Sequence, residues 1–168
     1  MKKFFQVSPE KLDENVFTLL KKEWMLITAG SLSSHNTMTA SWGGFGHLWN
    51  RHVCTVYVRP TRFTWDFMEE SDLFTLSFLG TEHREALKLC GTTSGRDTDK
   101  IADAGLSPVE SPGGSVFFDE ARLVIECRKI YSNVIDPERF VDRALSSHYP
   151  DMDYHTAYIG EITACLIR

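Results

Sequence analysis

Six segments of strand length, each closed off by turn formers or a short amphipathic stretch, constrain this chain more than any other feature. Residues 24–29 (WMLITA) and 73–79 (LFTLSFL) are compact apolar runs. Residues 53–59 (VCTVYVR) alternate with the period of a half-buried strand, and Pro60 stops them. Residues 37–45, 120–131 and 158–167 complete the set. Residues 30–36 (GSLSSHN), rich in turn formers, predict a hairpin with a longer loop between the first two strands.

The helical signals are short. Ser8 and Pro9 read as an N-cap and first-turn proline, and Leu12, Val16, Leu19 and Leu20 then recur at helical spacing as far as Glu23. Thr61 is the expected N-cap of a helix through Glu70, with Phe63, Phe67 and Met68 on one face. Residues 82–90 predict a helix with Ala86, Leu87 and Cys90 inward, and residues 98–104 a shorter one. Many strands with few helices predict a mainly β, mainly antiparallel barrel, with residues 1–168 as one domain. A doubly wound nucleotide fold is excluded by the lack of strand–helix alternation and of a G-x-G-x-x-G turn.

Composition narrows the function classes. The net charge of −5 argues against a nucleic-acid partner, which needs a positive footprint. No apolar run is long enough for a membrane-spanning helix. The opening MKKFFQ starts like a signal peptide but meets Pro9, Glu10, Lys11 and Asp13 without an apolar region, so a cytoplasmic location is expected. Cys54, Cys90, Cys127 and Cys165 form no C-x-x-C and read as reduced, mostly buried thiols.

Three segments carry chemistry. In Asn36-Thr-Met-Thr-Ala-Ser-Trp-Gly-Gly44, Thr37, Thr39 and Ser41 share one strand face and offer hydroxyl and backbone partners to a polar heterocycle; a plain solvated face gives the same pattern. In Arg59-Pro-Thr-Arg-Phe-Thr64, a stopped strand enters a helix beside two arginines, which suits a phosphate as well as it suits a capped surface helix. Residues 90–100 (CGTTSGRDTDK) form a glycine loop with a cation at its end, either a phosphate-approaching loop or a helix terminator. It is not a Walker loop, because Arg96 and Asp97 follow Gly95.

In this order the three segments resemble the flavin reductase-like family, most closely its flavoredoxin-like branch, over roughly residues 15–168. The resemblance implies a Greek-key split β-barrel that binds flavin mononucleotide (FMN), a homodimer, and an oxidoreductase with NAD(P)H as candidate electron donor; the alternative is an electron-transfer module served by a redox protein partner. It implies a flavin site drawn from Asn36, Met38, Thr39, Ala40, Ser41 and Trp42, with Met38 to Ser41 along the isoalloxazine. Arg62 and Thr64 would meet the phosphate, and Ser94, Gly95, Arg96 and Lys100 would complete the site. Arg59 and His155 are further candidates, Arg59 serving fold or ligand. The segment 45–52 (FGHLWNRH) is bulkier than the family pattern and could shape access. No catalytic side chain is singled out.

Other constellations give less. His148, Asp151, Asp153 and His155 could ligate a metal, but Pro150 favours an aspartate-rich loop before the last strand, and no metal is assigned. The G-x-S-x-G elbow of a serine hydrolase is missing.

Overall fold

The computed structural model describes residues 3–168. Its main sheet has eight strands: β1 Phe5–Val7, β2 Met25–Ser31, β3 Ser34–Ala40, β4 Gly43–Leu48, β5 Arg51–Val58, β6 Leu73–Phe78, β9 Leu123–Val134 and β10 Thr156–Ile167. They lie in the order β3-β2-β6-β9-β10-β5-β4, every neighbouring pair antiparallel, with β1 added on β10. Strands β7 (Pro108–Glu110) and β8 (Val116–Phe118) form a separate small hairpin. The helices are short: α1 Val16–Thr18, α2 Phe63–Glu70, α3 Arg84–Thr92 and α4 Lys100–Asp103. None among the described residues is long and apolar enough to cross a membrane.

The sheet curls until its two ends nearly meet. A side chain built at Gly43, on end strand β4, would stand 3.2 Å from Met25 Cε of β2 and would collide with the carbonyl of Thr55. Met25, Ile27, Val56, Val58, Phe74, Leu76, Phe78, Ile125 and Tyr158 fill the interior of the curl. A second apolar cluster lies on the other face, where Leu26 and Val124 pack with Leu79, Leu87 and Phe118. Strands such as β2 are therefore buried on both faces, which explains their continuous apolar runs. All four cysteines are free and buried.

Several sequence expectations require correction. Residues 8–23 are not one helix. Pro9–Lys11 make a single 3-10 turn, Leu12 is extended, and a new helix starts after Asn15, whose side chain accepts the Thr18 N–H at 3.0 Å. Asn15 competes as a cap, and Glu14 is drawn to Arg122 at 2.5 Å. The helix widens over Leu19–Glu23 and stops at Trp24, with φ +67°. Residues 30–36 form no long loop. Ser31 pairs with Ser34 across a two-residue turn, and Gly30 adopts φ +107° where a side chain would strike the Ser34 carbonyl. Residues 37–45 are two strands, broken at Ser41 and Trp42. Arg62, not Thr61, occupies the cap position of α2, and its side chain makes no capping bond.

Gly160 holds the middle of the sheet together by having no side chain. It sits on β10 opposite Cys54, and a methyl there would lie 2.6 Å from Phe74 Cζ and 2.8 Å from Cys127 Cβ. Gly160→Ala is expected to destabilise the fold by about 1–3 kcal/mol through overpacking. Chemical denaturation checks this; an unchanged midpoint would mean that the bulge beside Gly160 absorbs the extra carbon.

Candidate functional site

The site starts from an unpaired edge. Strand β3 ends the sheet, and the Ser31–Ser34 pairing fixes which of its backbone groups face β2. In an antiparallel hairpin of this register, residues 34, 36, 38 and 40 bond to β2, and Thr37 and Thr39 present N–H and C=O outward. The Asn36 amide donates to one of these free carbonyls, that of Thr37, at 3.4 Å. Beyond Ala40 the chain leaves the sheet for two residues, Ser41 and Trp42, and re-enters it as β4 at the opposite end. A cavity of about 200 Å³ opens along this stretch, lined by Met38 through Trp42, Tyr57, Arg59, Arg62 and His155.

The side chains of β3 are held from outside the sheet. Asn36 Nδ2 donates to Thr64 Oγ1 at 2.7 Å, both residues buried, which ties β3 to the first turn of α2. Thr39 Oγ1 donates to the Leu87 carbonyl at 2.5 Å, tying it to α3. Thr37 turns inward to the Ile27 carbonyl and the Thr28 hydroxyl. With its hydroxyl engaged, Thr39 offers the cavity chiefly backbone groups.

Four cations surround this edge, and they are not equivalent. Arg62 reaches into the cavity and gives one N–H to the Gly91 carbonyl at 2.7 Å; among the described residues none of its bonds goes to a carboxylate. Arg59 is paired with Asp153, donates to the His148 carbonyl at 2.8 Å and lies 5.0 Å from the Tyr149 ring centroid. Arg96 pairs with Asp66 at 2.6 Å and covers the Phe63 ring at 4.6 Å. Lys100 is buried, 4% exposed, and gives hydrogen bonds to the carbonyls of Cys90 and Thr93 at 3.2 and 3.0 Å. Burial, and the nearby Arg62 charge, lower the pKa of this amine, against the opposing pull of Cys90.

A second cavity of about 400 Å³ is lined by Asn36, Phe63, Gly95, Arg96 and Lys100 among others. Gly95 is required there, because a methyl would overlap Asn36 Oδ1 and press on Phe63. The sequence-selected residues thus divide. Met38 through Trp42, Arg59, Arg62 and His155 gather at the first cavity, and Asn36, Gly95, Arg96 and Lys100 at the second. The Ser94 hydroxyl accepts the Arg96 N–H at 3.2 Å within the loop, and the Thr64 side chain is enclosed against Asn36. Sequence reasoning missed Tyr57 and Tyr149. Tyr57 was legible, since it is two residues from Arg59 and so on the same strand face. Tyr149 had no such signal, because it reaches the site through an irregular segment.

The cluster of His148, Asp151, Asp153 and His155 is engaged in other ways. Asp153 faces Arg59, which holds its carboxyl below the usual range. Tyr149 Oη and His155 Nδ1 share a hydrogen bond of 2.9 Å, and the His155 ring lies 5.1 Å from Trp42. Burial first, then the charges of Arg59 and Arg62, depress the His155 pKa from 6.5 to about 4, with Asp153 pulling the other way. Between those values the unfolded chain binds a proton that the folded chain refuses, so stability falls as pH drops from about 6.5 to 4 and is level above. His155→Gln is expected to flatten the stability profile over that window, and NMR titration of the wild-type ring should place its midpoint near 4. A ring titrating near 6.5 would refute the assignment.

The comparisons agree with this architecture. The model of the "Flavin reductase like domain" family matches residues 18–168. Among solved structures, an FMN-binding domain of a flavin reductases-like enzyme from Shewanella baltica superposes with a TM-score of 0.72 at 19% identity, covering 98% of this chain and 77% of that one. Flavoredoxin of Desulfovibrio vulgaris gives 0.68 at 24% identity, covering 86% and 69%. The NADH:FAD oxidoreductase of Streptomyces globisporus gives 0.65 at 15% identity, covering 85% and 73%. No curated protein is matched. With the family model spanning nearly the whole chain and the split antiparallel barrel beneath it, this protein belongs to the flavin reductase-like domain family.

Proposed function

We propose that this chain binds FMN along the free edge of β3 and acts as an oxidoreductase that passes hydride or electrons from NAD(P)H to an acceptor. The observation that carries the reading is the juxtaposition at the first cavity: outward backbone groups of β3, with Arg62 beside them and no carboxylate on its guanidinium. The donor set fits the group. A flavin ring edge needs alternating donors and acceptors, which a bare strand edge supplies, and a phosphate needs a cation that is not already neutralised. Arg62 meets that need better than Arg59 or Arg96, whose charges face Asp153 and Asp66. Lys100, enclosed by two carbonyls, ties the start of α4 to the C-terminal end of α3.

Bound FMN would supply the redox chemistry, which no side chain of this protein can carry alone. The chain's own part is to position and to shield. Met38 to Trp42 would hold the ring through the backbone, and Arg62 would hold the phosphate end. His155, held neutral above pH of about 4, adds no positive charge beside the ring. Family membership supports the reading, as do solved neighbours described as FMN-binding, as flavoredoxin and as NADH:FAD oxidoreductase.

Titration with FMN is expected to quench flavin fluorescence saturably. Arg62→Ala should weaken FMN by about 1.5–3 kcal/mol, the value of a hydrogen bond to a charged group, and leave riboflavin nearly unaffected. Equal losses for the two ligands would assign Arg62 to the fold, and no loss would move the phosphate to Arg96 and Lys100. Rapid mixing of the flavin-loaded protein with NADH and with NADPH should bleach the flavin. Reduction by a ferredoxin-like protein alone would instead mark an electron-transfer module.

We also propose a homodimer. Around the β4–β5 turn, Trp49 is 57% exposed and packs edge-on against Tyr131, itself 46% exposed, with Leu48 exposed as well. Apolar surface of this kind is costly in water and suits a second copy. Sedimentation equilibrium should return twice the chain mass, and Trp49→Lys should return one.

A further inference from the structure

A third, apolar chamber adjoins the first cavity, and the flavin reading leaves it unused. It has a volume of about 380 Å³ and shares Trp42 and Tyr57 with the flavin-side cavity. Its outer wall comes from the segment between β9 and β10, through Ile135, Phe140, Leu145 and Tyr149. This segment has little regular structure, only 3-10 turns at Pro137–Arg139 and Arg143–His148. Its shape is imposed by contacts. Phe140 stacks on Tyr149 at 6.0 Å with 18° between planes, Tyr154 packs against both rings, and Tyr149 is bonded to His155.

Arg59 anchors the whole segment. It pairs with Asp153, bonds the His148 carbonyl and lies over Tyr149, so one guanidinium holds three points of the wall. The same ion pair has a second effect. Among the described residues neither lysine nor arginine lines the chamber, whose wall also includes His148, and Arg59, which lies over the Tyr149 ring of that wall, is paired with Asp153. An anionic ligand therefore gains nothing from Arg59, whereas a flat neutral ring can be flanked by Trp42, Tyr57 and Tyr149.

We propose that this chamber is the acceptor site, selective for uncharged planar aromatic molecules, with Arg59–Asp153 as the positioning pair that shapes the wall and sets the charge preference. The proposal rests on the flavin reading for the word acceptor, since the chamber opens toward the flavin only if the ring lies along β3. The binding preference itself stands on the chamber alone.

The test uses two probes of one shape and different charge, benzamide and benzoate, titrated into methyl-labelled protein in neutral buffer, with and without FMN. Benzamide is expected to shift the methyl resonances of Ile135 and Leu145 saturably, and benzoate to bind at least about tenfold more weakly, a difference of about 1.4 kcal/mol. Leu145→Trp fills the chamber from a residue 43% exposed, and should abolish benzamide binding while FMN affinity stays unchanged. Asp153→Asn frees the Arg59 charge and should shift the preference toward benzoate, which a merely structural loss would not do. No saturable shift with benzamide, full binding to Leu145→Trp, or an unaltered preference in Asp153→Asn would each overturn the proposal. Failure of FMN to bind, with benzamide still binding, would overturn the flavin reading and leave the chamber standing.

Discussion

Two residues set the geometry of this protein's site. Ser41 and Trp42 join the strands at opposite ends of one sheet, so the curl can close only as far as that link permits. Beside the link, β3 keeps an open edge, and an open edge is normally a hazard, since its unpaired backbone groups invite another strand. Here the hazard is limited by position. Helices α2 and α3 press on β3 from outside, through the Asn36–Thr64 and Thr39–Leu87 hydrogen bonds, and restrict approach to a narrow cleft. The same unsatisfied backbone that would recruit a strand is left for a small planar ligand.

The cations of the site show why residue type alone is a weak guide to role. Arg59, Arg62, Arg96 and Lys100 are equally eligible in the sequence as phosphate ligands. Their partners separate them. Asp153 and Asp66 neutralise Arg59 and Arg96, and backbone carbonyls enclose Lys100. Of the two arginines at the first cavity, Arg62 is the one with no carboxylate partner among the described residues. These partners lie far away in the chain, Asp153 in an irregular stretch and Asp66 on the next helix, and no local pattern announces them.

The mainly β, antiparallel architecture was legible because the apolar runs are long, turn-bounded and few. The principal strands appear where alternation or continuous apolarity placed them. What failed was punctuation. Gly30 to Asn36 look like a loop by composition, yet cross-strand pairing carries β2 and β3 to within two residues of each other. The N-terminal helix broke because Asn15 offers a better cap than Ser8, a local competition that apolar spacing does not register. Strands β1, β7 and β8 are three residues each, too short for any periodicity to form. At the first cavity, Met38 to Trp42 are contiguous in the sequence, whereas the wall contributed by Phe140, Leu145 and Tyr149 is a product of tertiary contacts alone.

One of those missed strands, β1, has a protective part to play. Strand β10 runs longer than its neighbour β5, and past Glu161 its outer edge would be bare; β1 pairs with Cys165, Leu166 and Ile167 and covers it. Leu166 and Cys165 are buried, so the uncovered edge would be hydrophobic as well as unpaired. A chain shortened through Val7, or fused there to a bulky tag, would expose a sticky strip remote from the cavities. Its failure would show first as intermolecular strand addition during expression, with the chemistry of any surviving soluble molecule unchanged.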